Sequence, residues 1–133
     1  MQIKQINKNQ LEECLEVIHK SFATVAKQFG FTQENCPGHT SFMPMEKLQR
    51  FYNWGFLMYG LFEQNQNGKS ELVGYFSISK DPEKEETYVL HNLCVKPQMR
   101  KKGYGKRLLD FAKEEVRELG GKILFLDFIN DYT

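Results

Sequence analysis

The chain has 133 residues, 41% of them apolar and 26% charged, and 18 basic against 17 acidic side chains give it a net charge of +1. This length suits a single domain over residues 1–133 with one core, and the composition excludes a disordered or fibrous chain. Near-neutral charge argues against a general binder of nucleic acid or anionic membrane, and no apolar run reaches the roughly eighteen residues of a membrane helix.

Met1-Gln2-Ile3-Lys4 lacks the basic-then-apolar pattern of a secretory leader, so the expected location is cytoplasmic. Ile3 and Ile6 mark a short opening strand, and Asn7 is a candidate helix cap. Leu11, Leu15, Ile18, Phe22 and Val25 then recur at helical spacing, which predicts one core-facing helix surface ending near Gly30. Phe31 to Met43, with Asn35 and Pro37-Gly38, has no period and reads as loop. Pro44 suits the first turn of a shorter helix with Leu48 and Phe51 on its inner side.

Phe56 to Phe62 and Leu72 to Ile78 predict a hairpin, joined across Asn67-Gly68 by more than a minimal turn. Glu86 to Val95, entered after Asp81-Pro82 and closed by Pro97, completes an antiparallel meander of three strands. Leu108, Leu109, Ala112, Val116 and Leu119 mark an amphipathic helix stopped by Gly120-Gly121, and Ile123 to Ile129 is an apolar run of the buried-strand type. Strand, loop, helix, strand is a βαβ unit whose two strands should be parallel. The expected class is therefore α+β with a mixed sheet, an antiparallel meander followed by a βαβ unit.

Charge is gathered in one place. Lys96, Arg100, Lys101, Lys102, Lys106 and Arg107 fall within twelve residues that hold no acidic side chain, leaving the rest of the chain net acidic. A helix start carries partial positive charge and disfavours cations, so such a cluster is reasonable where a strongly anionic ligand neutralises it. Gly103 and Gly105 remove side chains where backbone N–H groups must approach that ligand, as phosphate loops require. The pattern points to a diphosphate site; the plain alternative is a solvated basic turn. Nucleic-acid binding through the same loop would need a second basic patch or an interleaved aromatic platform, and the sequence offers neither.

The run Leu93-Cys94-Val95-Lys96-Pro97-Gln98-Met99-Arg100-Lys101-Lys102-Gly103-Tyr104-Gly105-Lys106-Arg107-Leu108-Leu109 resembles the V-x-P-x-x-R-x-x-G-x-G-x-x-L-L signature of the GNAT superfamily. The resemblance implies a GNAT-like acyl-CoA N-acyltransferase fold, with acetyl-CoA as co-substrate and an amine of a small molecule or peptide as acceptor. It implies that the loop Arg100, Lys101, Lys102, Gly103, Tyr104, Gly105, with Lys106, holds the coenzyme diphosphate. The backbones of Leu93, Cys94 and Val95 would pair with the pantetheine arm, and the amide near Cys94 would donate to the developing oxyanion. No partner nucleic acid or membrane is implied.

Direct transfer needs a base for the amine. Glu85 and Glu86 stand only at the start of the strand, while His91 lies nearer the coenzyme end and is the candidate base, with a hydrogen-bonded structural histidine as the alternative. The Cys94 thiol is expected to be a small apolar filler rather than a nucleophile. His39 is a candidate for the acceptor pocket or a surface-loop residue, and Phe42, Tyr52, Trp54, Phe56 and Tyr59 are candidates for pocket lining or core. Histidines and cysteines lack ligand spacing, so no metal is expected, and the three cysteines read as reduced thiols.

Members of the superfamily continue after the fifth strand with a helix and two more strands, so the resemblance implies a C-terminally truncated form. Asn130 and Tyr132 would fall where that helix begins. The last strand would then expose an apolar edge, so that either the chain is such a truncated form or a second copy covers the edge in a homodimer. A non-catalytic acyl-CoA-binding or regulatory domain is the alternative function.

Overall fold

In the computed structural model, which describes residues 1–127, the elements in chain order are β1 (Gln2–Gln5), α1 (Leu11–Phe29), α2 (Met45–Asn53), β2 (Leu57–Gln64), β3 (Ser70–Lys80), β4 (Thr87–Val95), α3 (Tyr104–Glu118) and β5 (Ile123–Asp127). The expectations for Ile129, Asn130 and Tyr132 lie outside the described residues. The sheet order is β1-β2-β3-β4-β5. Neighbours are antiparallel through β4, and β4 and β5 are parallel, as the βαβ pattern requires. The meander has four strands rather than three, because Gln2–Gln5 pairs with Tyr59–Phe62 of β2.

Helices cover both faces of the sheet. On one, Leu11, Cys14, Val17 and Ile18 of α1 and Leu48 of α2 pack on Met58, Leu72, Tyr75 and Cys94. On the other, Leu108, Ala112 and Val116 of α3 pack on Leu61, Val73, Phe76, Ile78, Leu90 and Val95. Leu108 and Ala112 are fully buried. Burial of a leucine-sized side chain contributes about 1.5–3 kcal/mol, so each face is held by several such terms.

The buried face of α1 is rotated from the one its apolar spacing predicts. Cys14, Val17 and Ser21 are buried with Leu11 and Ile18, whereas Leu15, Phe22 and Val25 are only half-buried. Phe22 packs on the rim of this core and, with Val25, walls a cleft, which leaves both partly open.

β4 carries a bulge. Tyr75 pairs with Cys94 and Ser77 with His91, so three steps on β4 oppose two on β3, and Asn92 takes the strain at φ 54°. The β4–β5 ladder runs from Thr87↔Ile123 to His91↔Asp127. Leu93, Cys94 and Val95 therefore extend past the last paired residue, leaving that edge of β4 without a strand partner among the described residues.

On β5, Ile123, Phe125 and Leu126 are exposed. No helix among the described residues is long and apolar enough to cross a membrane.

Candidate functional site

The end of β4, beyond its last pairing with β5 among the described residues, borders a cleft of about 470 Å³ lined by Leu93, Cys94, Val95, Met99, Arg100, Lys101, Gly103, Tyr104 and Gly105, and by Ser21, Phe22 and Val25 of α1. Eight of the residues singled out by the sequence motif thus meet in one place. Lys102 and Lys106 stand outside the lining, exposed at its margin. The α1 wall has no motif of its own, and its only sequence signal is apolar spacing that reads as core.

Gly103 caps α3 in the left-handed conformation, at φ 77°. Lys101 shares that conformation at φ 68° without being glycine, a backbone arrangement that costs about 1–2 kcal/mol for an L-residue. Among the described residues no side chain caps the start of α3, whose first N–H groups, lacking intrahelical acceptors as at any helix start, face outward from the helix end. A Cβ at Gly103 or Gly105 would meet no atom within 4 Å, which leaves open space against the helix start.

The two long helices treat their starts differently. α1 has Glu12 and Glu13 in its first turn, the usual complement to the helix dipole, while α3 has no acidic residue there. Lys106 pairs with Asp110 at 3.1 Å, an exposed i,i+4 pair of little energetic worth. Among the described residues no carboxylate lies within ion-pair distance of Lys101, Lys102 or Arg107. No acidic residue in the first turn of α3 itself offsets the field of the helix start, which suits a polyanion.

Tyr104 anchors the loop from the other side. Its hydroxyl donates to Glu63 at the end of β2, and Glu63 also pairs with the Met1 amino group at 3.3 Å. The hydrogen bond from Tyr104 holds the Glu63 carboxyl below its usual range, and the same bond raises the Tyr104 phenol.

Arg100, expected within the diphosphate-binding loop, directs its side chain to α1. Its Nη1 donates to Thr24 Oγ1 at 3.0 Å and its Nη2 to the Ser21 carbonyl at 2.5 Å, so the guanidinium bridges the loop to α1.

Cys94 is 7% exposed, and burial pushes its thiol up to about 12. A protonated thiol packed against α1 is the filler expected, and the same residue lines the cleft. His91 sits one residue before the bulge. Its Nε2 lies 2.7 Å from Ser79 Oγ, and its ring stacks on Phe56 with centroids 4.9 Å apart. Glu85 and Glu86 are exposed at the far end, before β4 begins.

His39 corrects the expectation of a surface or pocket histidine. It is 1% exposed, its Nδ1 accepts from the Ser41 amide at 3.1 Å, and its ring packs against Phe31 and Phe42. Capping the short turn Thr40–Phe42 draws it inward. The aromatic set does not form one pocket. Tyr59 is buried on the α3 face with its hydroxyl on Glu115, Phe56 stacks between Phe51 and His91, and Trp54 is 67% exposed. Among the described residues, no group of three or more His, Cys, Asp or Glu side chains is placed to hold a metal ion.

Comparison with known proteins agrees with this arrangement. The family model for the acetyltransferase (GNAT) family matches residues 28–132. A histone acetyltransferase Tip60 homolog of Caenorhabditis elegans is 42% identical over 59 residues, which are 44% of this chain and 12% of that protein. The chain thus spans a small part of that relative's length. Among solved structures, an aminoglycoside 6'-N-acetyltransferase complexed with coenzyme A superposes with a TM-score of 0.64 at 20% identity, over 95% of this chain and 61% of the other. A GNAT family acetyltransferase from Brucella melitensis in complex with acetyl-CoA superposes with a TM-score of 0.69 at 16% identity, over 98% and 78% of the two chains. At these identities the superpositions establish the fold alone. With the family model covering most of its length, the chain belongs to the GNAT acetyltransferase family.

Proposed function

We propose that this chain is an acetyl-CoA-dependent N-acetyltransferase that transfers the acetyl group directly to an amine of a small molecule or peptide. The observation that carries this reading is the convergence on one cleft of the end of β4 with the cationic start of α3, the first without a further strand partner and the second without a side-chain cap among the described residues. An extended pantetheine arm along Leu93–Val95 would complete the strand edge, and the diphosphate would take the first N–H groups of α3 with Lys101, Lys102 and Lys106 around it.

Acetyl-CoA supplies an activated acyl carbon bonded to a good leaving thiolate. The chain's task is to place an amine against that carbon, to hold the carbonyl oxygen as it gains charge, and to take up the amine proton as the C–N bond forms and the C–S bond breaks. The backbone N–H near Cys94 is assigned to the oxygen. His91 is assigned to the proton, because it stands on the α1 and α2 side immediately before the bulge. The proton returned to the departing sulfur keeps the reaction balanced.

His91 is also fixed by Ser79 and Phe56, and this favours the second reading, a coenzyme-binding domain without turnover. Release of free thiol from acetyl-CoA with a panel of primary amines tests the two. Turnover that falls at least about tenfold in His91→Gln, with loss of the acid limb of the pH profile, supports the enzyme. Calorimetric binding of coenzyme A without thiol release from any amine supports the binding domain, and absence of both refutes the assignment.

A further inference from the structure

We infer that Arg100 is a positioning residue that holds the two walls of the cleft at a set separation, and is not a ligand of the coenzyme phosphates. The inference rests on the acetyl-CoA reading given above. Its basis is the destination of the guanidinium. One wall is α1, through Ser21, Phe22 and Val25, and the other is the end of β4 with the following loop. Arg100 crosses between them, 76 residues from Thr24 and 79 from Ser21 in sequence, and places both terminal nitrogens on α1.

The receiving group is prepared for it. The Thr24 hydroxyl donates to the Ser21 carbonyl at 3.1 Å, so its proton is already committed and its lone pairs face outward to accept from Arg100. Thr24 and Ser21 thus form a two-acceptor seat one helical turn wide, matched to the fixed fork of a guanidinium. Charge-assisted hydrogen bonds are about twice as strong as neutral ones, and a lysine would reach the seat with a single point charge.

The backbone explains why the side chain leaves the phosphate region. Arg100 is extended at φ −73° and ψ 162°, between the turn Pro97–Met99 and the left-handed Lys101. The cations left to the cleft are Lys101 in its lining and Lys102 and Lys106 at its margin. Arg100 would therefore act on the whole arm of the coenzyme, by spacing α1 from β4, whereas Lys106 would act on the phosphates alone.

The two roles separate when the phosphates are removed from the ligand. The assay compares acetyl-CoA with acetyl-pantetheine, which carries the arm and thioester without diphosphate or nucleotide, reading KM for both and the Kd of coenzyme A by calorimetry. Arg100→Gln and Thr24→Val should each raise KM for both thioesters by a similar factor of about 3–10. Thr24→Ser should behave as the parent, and the double variant should be no worse than Arg100→Gln alone. Lys106→Gln should weaken acetyl-CoA and leave acetyl-pantetheine unchanged. Thermal melts identify any variant that fails to fold, and the Thr24 pair tests the seat without touching the loop.

Loss confined to acetyl-CoA in Arg100→Gln, or no effect of Thr24→Val, would overturn the positioning role while leaving the acetyltransferase reading intact. A parent protein that binds neither thioester would overturn both.

Discussion

Replacing Gly103 with alanine should lower stability and coenzyme affinity by two separable routes. At φ 77° the backbone is left-handed, and an L-residue there costs about 1–2 kcal/mol. The added Cβ meets nothing within 4 Å, so no steric term joins it in the free protein. For a domain of this size that cost corresponds to a melting temperature lower by roughly 3–8 °C. Under the acetyl-CoA reading, binding should suffer further, because the methyl group would occupy the open space through which the diphosphate would reach the N–H groups of α3. A Kd for coenzyme A raised at least about tenfold, or about 1.4 kcal/mol, is expected at a temperature where the variant is fully folded. Gly103→Asn, which tolerates the left-handed region, should recover most of the stability but not the affinity. Lys101→Gly relieves a similar backbone cost of about 1–2 kcal/mol, offset by about 0.5–1 kcal/mol of glycine entropy, so its melting temperature should rise slightly. Calorimetric binding beside thermal melts decides the matter. A Gly103→Ala protein that melts early yet binds coenzyme A like the parent would refute the placement of the phosphates at this helix start.

Other expectations test the frame around the site. Leu108→Ala empties a fully buried position between α3 and Gly74 and should cost about 2–5 kcal/mol in urea unfolding; a loss well under that range would mean α3 packs loosely. Burial pushes the Cys14 and Cys94 thiols from 9.0 to about 12, and burial with a hydrogen bond to Glu115 raises the Tyr59 phenol from 10.0 to about 12. The folded protein then keeps protons that the unfolded chain releases, so stability should be full below pH 9 and fall as the pH climbs toward 12. Urea midpoints that stay level across that range would contradict it. In the native protein an alkylating reagent should reach half-buried Cys36 before buried Cys14 and Cys94, with all three labelled after unfolding. Exposed Ile123, Phe125 and Leu126 on β5 should drive concentration-dependent association in light scattering, and Phe125→Lys should suppress it; a single-chain mass for both proteins would refute this.

The elements that announced themselves in the sequence did so through local signals. Gly30 takes the left-handed cap of α1, as its place after the periodic run predicts, and Gly120 is likewise left-handed after α3. The basic, glycine-punctuated loop meets the end of β4 because chain connectivity forces a strand and the helix after it to share an end. The features that escaped depend on distant partners. The grip of Arg100 on Ser21 and Thr24 spans most of the chain and leaves no periodic trace. Phe22 and Val25 carry the same spacing as core residues, and only the position of β4 makes them a wall. His39 reads as a loop residue until the turn it caps is in place. The bulge at Asn92 is invisible because register belongs to two strands at once.

That extra residue has a consequence for which changes in length the chain can accept. His91 and Cys94 lie three positions apart yet look toward the same helices, because Asn92 uses up one step without a partner on β3. Shortening the chain by that one residue would restore plain alternation beyond it: Cys94 would turn toward α3, Val95 toward α1, and the proline and arginine that follow would begin from the opposite side of the sheet. A deletion of one amino acid here would thus be felt as the inversion of a whole segment, while a substitution at the same position would alter only the ease of its φ angle.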